Sequence, residues 1–389
     1  MTKFMEYSII LSMPVYYYRH YGNLANLAKP NRVTVLYGPR RVGKTTLVNR
    51  YIDFLKTRVL KASGDNLAES MVLSSRDTRA LLDWTAGYDT VFIDEAQRIS
   101  GIGIGLKILI DARPELNIIA TGSSSFDLAG KLGEPLTGRQ TPLRLYPLSV
   151  SEMSQTLNAH EIRQNLEDFL VYGMYPEVRT ASSGEQKKFI LNELSDAYLL
   201  KDILELERIK KPRTLLDLLS LIALQTGSEV SLNELSGRLR IDVKTVERYL
   251  DLLEKSFVLY NLRGFSRNLR NEVTRTSKYY FYDTGVRNAV IKNFNPFSLR
   301  ADAGALWENF MVIERLKFRS YTNIFARDYF WRTWEKKEID LLEESGGQLS
   351  AFEFKWSPKK AAKVPALFCE TYPEASYTVI SPDNFLDYV

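Results

Sequence analysis

GPRRVGKTT, residues 38–46, lies between the apolar run VTVLY, residues 33–37, and the segment LVNRYIDFL, residues 47–55. The nine residues satisfy G-x-x-x-x-G-K-[ST]. VTVLY reads as a buried strand, and Leu47, Val48, Tyr51, Ile52 and Leu55 recur at helical spacing. Strand, glycine loop and helix in that order form a phosphate cradle. Gly38 and Gly43 let the backbone turn tightly and approach an anion with no Cβ in the way. Amides from Arg41 to Thr46 then face a β-phosphate from a helix N-terminus, where the dipole also favours negative charge. On this reading Gly38, Pro39, Arg40, Arg41, Val42, Gly43, Lys44, Thr45 and Thr46 hold the nucleotide. Lys44 reaches the β- and γ-phosphates, and the Thr45 hydroxyl ligates Mg²⁺.

About fifty residues on, VFIDEAQ, residues 91–97, is a short apolar run ending in two acids. Asp94 is expected to hold Mg²⁺, directly or through water, and Glu95 to polarise an attacking water as general base. A third strand, NIIA at residues 117–120, runs into TGSSS at 121–125. Ser123 at its tip is the candidate to sense a γ-phosphate or orient water. Arg139, in LTGR at residues 136–139, is a candidate charge stabiliser acting in trans or in cis.

Composition narrows the classes. The chain has 389 residues, enough for two to four domains, with 45% hydrophobic and 25% charged residues, as in an ordinary globular protein. A net charge of +5 and a pI near 8.9 are compatible with nucleic acid without pointing to it. The single cysteine, Cys369, excludes an internal disulfide framework and a multi-cysteine zinc site, and is expected to be a buried filler. The two histidines, His20 and His160, lack ligand spacing, so any metal is expected to be Mg²⁺ on oxygen ligands. No apolar run approaches the ~20 residues of a membrane span. The first residues do not read as a signal peptide, and the cytoplasm is the expected location.

The chain divides into five blocks. Residues 1–30 read as an N-terminal helical arm and 31–149 as alternating strands and helices around a parallel sheet. Residues 150–225 read as a helical lid, with Leu215, Leu216, Leu218, Leu219 and Ile222 at helical spacing. Residues 226–299 carry a helix-turn-helix pattern. Ser231 to Glu234 is a capping box, residues 240–242 make the turn, and a second helix follows with Val246, Tyr249 and Leu250 inward. Strands near 257–260 and 279–282 would form its wing. Were it to bind DNA, Lys244, Thr245 and Arg248 would face the groove or phosphates. Arg263, Arg267, Arg270 and Arg275 add a basic loop.

In residues 300–389, Glu308 lies on an amphipathic helix over 306–317, Asp340 on one strand, and Glu353 with Lys355 on one face of another. Asp340 and Glu353 could share one Mg²⁺, with Lys355 placing the water and Glu308 completing the set. Phosphodiester hydrolysis needs such groups. Charged residues on half-exposed strands, or a non-cutting relative of a nuclease, are the alternatives.

Taken together the chain resembles a family of prokaryotic AAA+-like P-loop ATPases along nearly its whole length. The marks are GPRRVGKTT, FIDEAQ, IIATGSSS, LTGR, YPLS at 146–149, YGMYPE at 172–177 and KYYFYDTG at 278–285. The resemblance implies an α/β P-loop core with a helical lid, and a C-terminal domain of unknown function that joins a winged helix to a PD-(D/E)xK-nuclease-like, restriction-endonuclease-like α/β fold. It also implies ATP as the nucleotide and a homo-oligomeric ring. Relatives often read Gly-Gly-Phe where this chain has Tyr172-Gly173-Met174, a departure in the lid. Three functions follow as expectations. The first is a Mg²⁺-dependent ATPase acting on forked or branched DNA. The second is an ATP-gated metal-dependent nuclease, and the third a nucleotide-controlled switch binding a protein partner.

Overall fold

The computed structural model describes residues 16–22, 24, 27, 29, 31–123, 136–195, 212–265, 277–333, 335, 337–357 and 363–389. A five-stranded parallel sheet forms first. Its strands are β1 (Val33–Tyr37), β2 (Val59–Ser63), β3 (Thr90–Asp94), β4 (Asn117–Gly122) and β5 (Gln140–Arg144), in the order β2-β3-β4-β1-β5. Every residue of β1 is buried, as a strand covered on both faces requires. Its side chains alternate between two cores. Val33, Val35 and Tyr37 pack with Leu106, Leu109 and Ile110 of α4 (Ile102–Ala112). Leu36 packs with Leu47 and Val48 of α1 (Lys44–Asp53). The helices α2 (Leu67–Ser74) and α3 (Thr78–Trp84) complete this layer.

A run of helices follows: α5 (Val150–Met153), α6 (Ala159–Gln164), α7 (Leu166–Tyr172), α8 (Pro176–Thr180), α9 (Gly184–Glu193) and α10 (Pro212–Leu224). On α10, Leu215, Leu218, Leu219 and Ile222 are buried while Leu216 is half-buried. They pack against Leu235, Val246, Tyr249 and Leu250 of two further helices, α11 (Leu232–Leu239) and α12 (Val243–Lys255). Ser231 Oγ accepts the Glu234 N–H at 3.3 Å to open α11, and Arg240, at φ 54°, ends it. Asp242 opens α12 by accepting from the Thr245 N–H at 2.8 Å.

The second sheet has six strands: β6 (Leu259–Gly264), β7 (Ser277–Phe281), β8 (Arg327–Arg332), β9 (Glu338–Ser345), β10 (Gln348–Phe354) and β11 (Ser376–Ile380). The order is β11-β10-β9-β8-β6-β7. The two strands expected as a wing are therefore not a separate hairpin. β6 pairs antiparallel with β7 and parallel with β8, so they extend the C-terminal sheet. The helix α14 (Ala303–Thr322), which follows α13 (Thr284–Val290), crosses this sheet and buries Trp307, Phe310, Met311, Val312 and Ile313 against it.

Two expectations change. Residues 16–22 of the expected helical arm are not helical. Tertiary contacts hold them against the core: Tyr21 is buried, the Tyr17 hydroxyl donates to the Arg179 carbonyl at 3.1 Å, and a turn closes where the Gly22 N–H donates to the Arg19 carbonyl at 2.9 Å. The rest of residues 1–15 lies outside the described residues. Cys369 is exposed rather than buried, because on α15 (Ala366–Thr371) the neighbouring Phe368 takes the inward position. No helix among the described residues is long and apolar enough to cross a membrane.

Candidate functional site

At the C-terminal ends of β1, β3 and β4 the expected site residues converge. Such ends, flanking the point where strand order reverses, are where open parallel sheets bind ligands. β1 delivers the loop and β3 the two acids, and β4 lies between them, so its tip reaches both. Gly38 has φ 152°, and a Cβ there would come within 2.0 Å of the Leu145 carbonyl oxygen. Arg41 and Gly43, at φ 59° and 93°, turn the chain around Val42 before α1 begins at Lys44. Lys44 is buried, and its ammonium donates to the carbonyls of Gly38 at 2.7 Å and Pro39 at 2.8 Å. The Thr45 hydroxyl lies 3.0 and 3.1 Å from the two Asp94 carboxylate oxygens. The Thr121 hydroxyl also donates to Asp94.

Glu95 follows in the left-handed region at φ 49°, which swings its carboxylate out of strand register. Gln97 Nε2 donates both to Glu95 and, at 3.2 Å, to Ser123 Oγ. The pair expected from sequence, Glu95 and Ser123, is thus joined by a side chain that sequence reasoning missed, although it stands in the same VFIDEAQ run. A cavity of about 400 Å³ opens here, lined by Arg40, Arg41, Gly43, Lys44, Thr45 and Thr46 on one side and by Glu95 and Glu177 on the other. Glu177, on α8, and Glu193, on α9, each lie 3.4 Å from Arg41, so the helical segment touches the loop directly.

Arg139 does not join them. Its carbonyl accepts from the Val33 N–H at 2.9 Å, and its guanidinium pairs with Asp111 at 2.6 Å. Val33 begins β1 and the loop follows its end, so Arg139 sits at the opposite, N-terminal end of the strands. Five residues of strand separate the two ends, about 16 Å. Within one chain, then, Arg139 does not face the loop.

The C-terminal residues do gather. The Tyr280 hydroxyl donates to Glu308 at 2.7 Å, and the Phe354 N–H to Asp340 at 2.8 Å. Lys355 pairs with Glu353, whose other oxygen, Oε2, is buried and has no hydrogen-bond partner among the described residues. Burial, reinforced by the Asp340 carboxylate, pushes Glu308 up to about 8. Burial likewise raises Asp340 and Glu353. Sequence reasoning missed Lys278, which is fully buried and pairs with Glu338 and with Glu308 at 3.4 Å. Among the described residues no three His, Cys, Asp or Glu side chains are arranged to hold a metal ion. Lys278→Met is expected to lower stability by about 3–5 kcal/mol, because it strands buried carboxylates. An unchanged urea midpoint for this variant would show that the ammonium does not neutralise the cluster.

On α12, Lys244 and Arg248 are exposed one turn apart, with Glu247 and Asp251 exposed beside them. The Thr245 hydroxyl donates to Asp242 at 2.7 Å, so it serves the helix cap. Arg267, Arg270 and Arg275 lie outside the described residues.

Comparison with known proteins accords with the loop and acidic strand. Residues 30–154 match an AAA domain. Residues 163–296 and 303–385 match two domains of unknown function, DUF8612 and DUF4143. The chain thus carries an AAA-type P-loop ATPase domain followed by domains of unknown function. An uncharacterized protein of Mycobacterium tuberculosis is 29% identical over 330 residues, covering 83% of this chain and 70% of its own. One of Haemophilus influenzae is 26% identical over 339 residues, covering 82% and 80%. Among solved structures, a Thermotoga maritima RuvB mutant is 21% identical, covering 59% of this chain and 82% of its own, with a TM-score of 0.28.

Proposed function

We propose that this protein binds ATP with Mg²⁺ at residues 38–46, hydrolyses it, and uses the cycle to act on DNA, forked or branched DNA in particular. The observation that carries the ATPase reading is the convergence of Lys44, Thr45 and Glu95 on one cavity, with Asp94 paired to Thr45 and Gln97 linking Glu95 to Ser123 behind it. The residues fit the ligand: the buried Lys44 ammonium lines the cavity as a phosphate partner, and a hydroxyl paired with a carboxylate, Thr45 with Asp94, is the donor set a hard cation takes. Thr45 and Asp94 would hold Mg²⁺, which neutralises phosphate charge when bound. Glu95 accepts the proton of the attacking water, and Gln97 orients both Glu95 and Ser123. Arg139 is kept as a stabiliser supplied to a neighbouring subunit of a ring.

The DNA part rests on Lys244 and Arg248, which share the outer face of α12. Replacing both by Ala is expected to weaken duplex binding and to lower the log–log salt slope by about 2. Unchanged affinity and slope in a fluorescence-anisotropy titration would remove α12 from DNA contact. The mixed charge of that face favours a second reading, in which nucleotide state releases the helix-turn-helix segment to a protein partner. Slow turnover with tightly held nucleotide and no response to DNA would select it. The nuclease alternative draws on Glu308, Asp340, Glu353 and Lys355. Against it stands Lys278, an ammonium already paired with Glu308 and with the neighbouring Glu338.

A further inference from the structure

Arg19, nineteen residues before the glycine loop begins, is buried at 6% exposure, and all its donor nitrogens are engaged. Nη1 donates to the Val42 carbonyl at 2.5 Å, Nη2 to the Tyr146 carbonyl at 2.6 Å, and Nε to Glu152 Oε1 at 2.9 Å. Glu152 is itself fixed: it also accepts the His20 N–H at 2.8 Å and, through Oε2, the Ser149 N–H at 2.9 Å.

Val42 lies inside the phosphate loop, so this is a side chain gripping the outer surface of the cradle. A trans peptide is planar, with its C=O and N–H pointing to opposite sides. Holding the Val42 oxygen outward therefore holds the Gly43 N–H inward, toward the cavity that Gly43 lines. The peptide needs such a hold. Arg41 and Gly43 on either side of Val42 both have positive φ, and a glycine flank leaves the peptide free to rotate. Rotated, it would aim a carbonyl oxygen at the site, replacing an anion donor by a repelling acceptor.

We propose that Arg19 is a positioning residue for the nucleotide's phosphates: by clamping the Val42 carbonyl it keeps the Gly43 amide directed at the β-phosphate. The inference rests on the nucleotide reading above. Its test compares ADP and AMP binding, by calorimetry, for wild type, Arg19→Lys and the neutral double variant Arg19→Met/Glu152→Gln. The double variant leaves no buried carboxylate alone should the lysine variant fail to fold. Both variants are expected to lose about tenfold or more in ADP affinity while AMP affinity stays within about twofold, since AMP lacks the phosphate that Gly43 meets. A purely structural role would weaken both ligands together. Equal ADP affinity in wild type and variants would overturn the clamp and leave the nucleotide site standing, whereas a wild type that binds neither ADP nor ATP would overturn both. In wild type, ADP is also expected to slow hydrogen exchange at the Gly43 amide; an unchanged rate there would equally overturn the clamp.

Discussion

Glu95→Gln is expected to leave ATP bound and to slow its hydrolysis by about a hundredfold or more, the range a positioned general base supplies. The substitution keeps size and shape, so the left-handed backbone at Glu95 and the link from Gln97 to Ser123 are preserved in outline. What is lost is the carboxylate that takes the water's proton. Undiminished turnover in a phosphate-release assay would assign the base to another residue. The prediction concerns chemistry rather than affinity, so the variant's ATP dissociation constant should stay within a few-fold of wild type.

Lys44→Ala is expected to act the other way, on binding. The buried ammonium bridges the Gly38 and Pro39 carbonyls and stands at the floor of the cavity. Removing a charged donor to a phosphate costs about 1.5–3 kcal/mol, roughly ten- to a hundredfold in affinity. The variant also loses the two hydrogen bonds to the Gly38 and Pro39 carbonyls, while the Arg19 grip on Val42 does not depend on the lysine. Unchanged ATP affinity in the variant would mean that residues 38–46 are not the nucleotide site.

The candidate nucleotide site was legible because each part is local in sequence. VTVLY has no polar residue strong enough to leave a core, and the glycines of the loop occupy positions with φ 152° and 93°. Asp94 and Glu95 close a short buried strand, so their placement at a sheet edge needed no tertiary knowledge. What could not be read was where distant segments return. Arg19 reaches Val42 across 23 residues and Tyr146 across 127, and no local pattern announces either contact. Arg139 looked available for catalysis because its side of the sheet depends on the register Val33↔Gln140, which sequence does not give. The same holds for β6, whose apolar residues read as a wing but whose parallel pairing with β8 attaches it to the C-terminal sheet. The acids Glu308, Asp340 and Glu353 were found by their strand and helix positions. Within the aromatic KYYFYDTG run nothing local marks Lys278, yet its buried ammonium pairs with Glu308 and Glu338.

ATP hydrolysis by wild type and by Glu95→Gln, in Mg²⁺ and with or without forked DNA, tests the central claim most directly. The account predicts turnover by wild type, stimulation by the fork, and loss of both in the variant. A wild type that binds ATP but releases no phosphate under any of these conditions would contradict it.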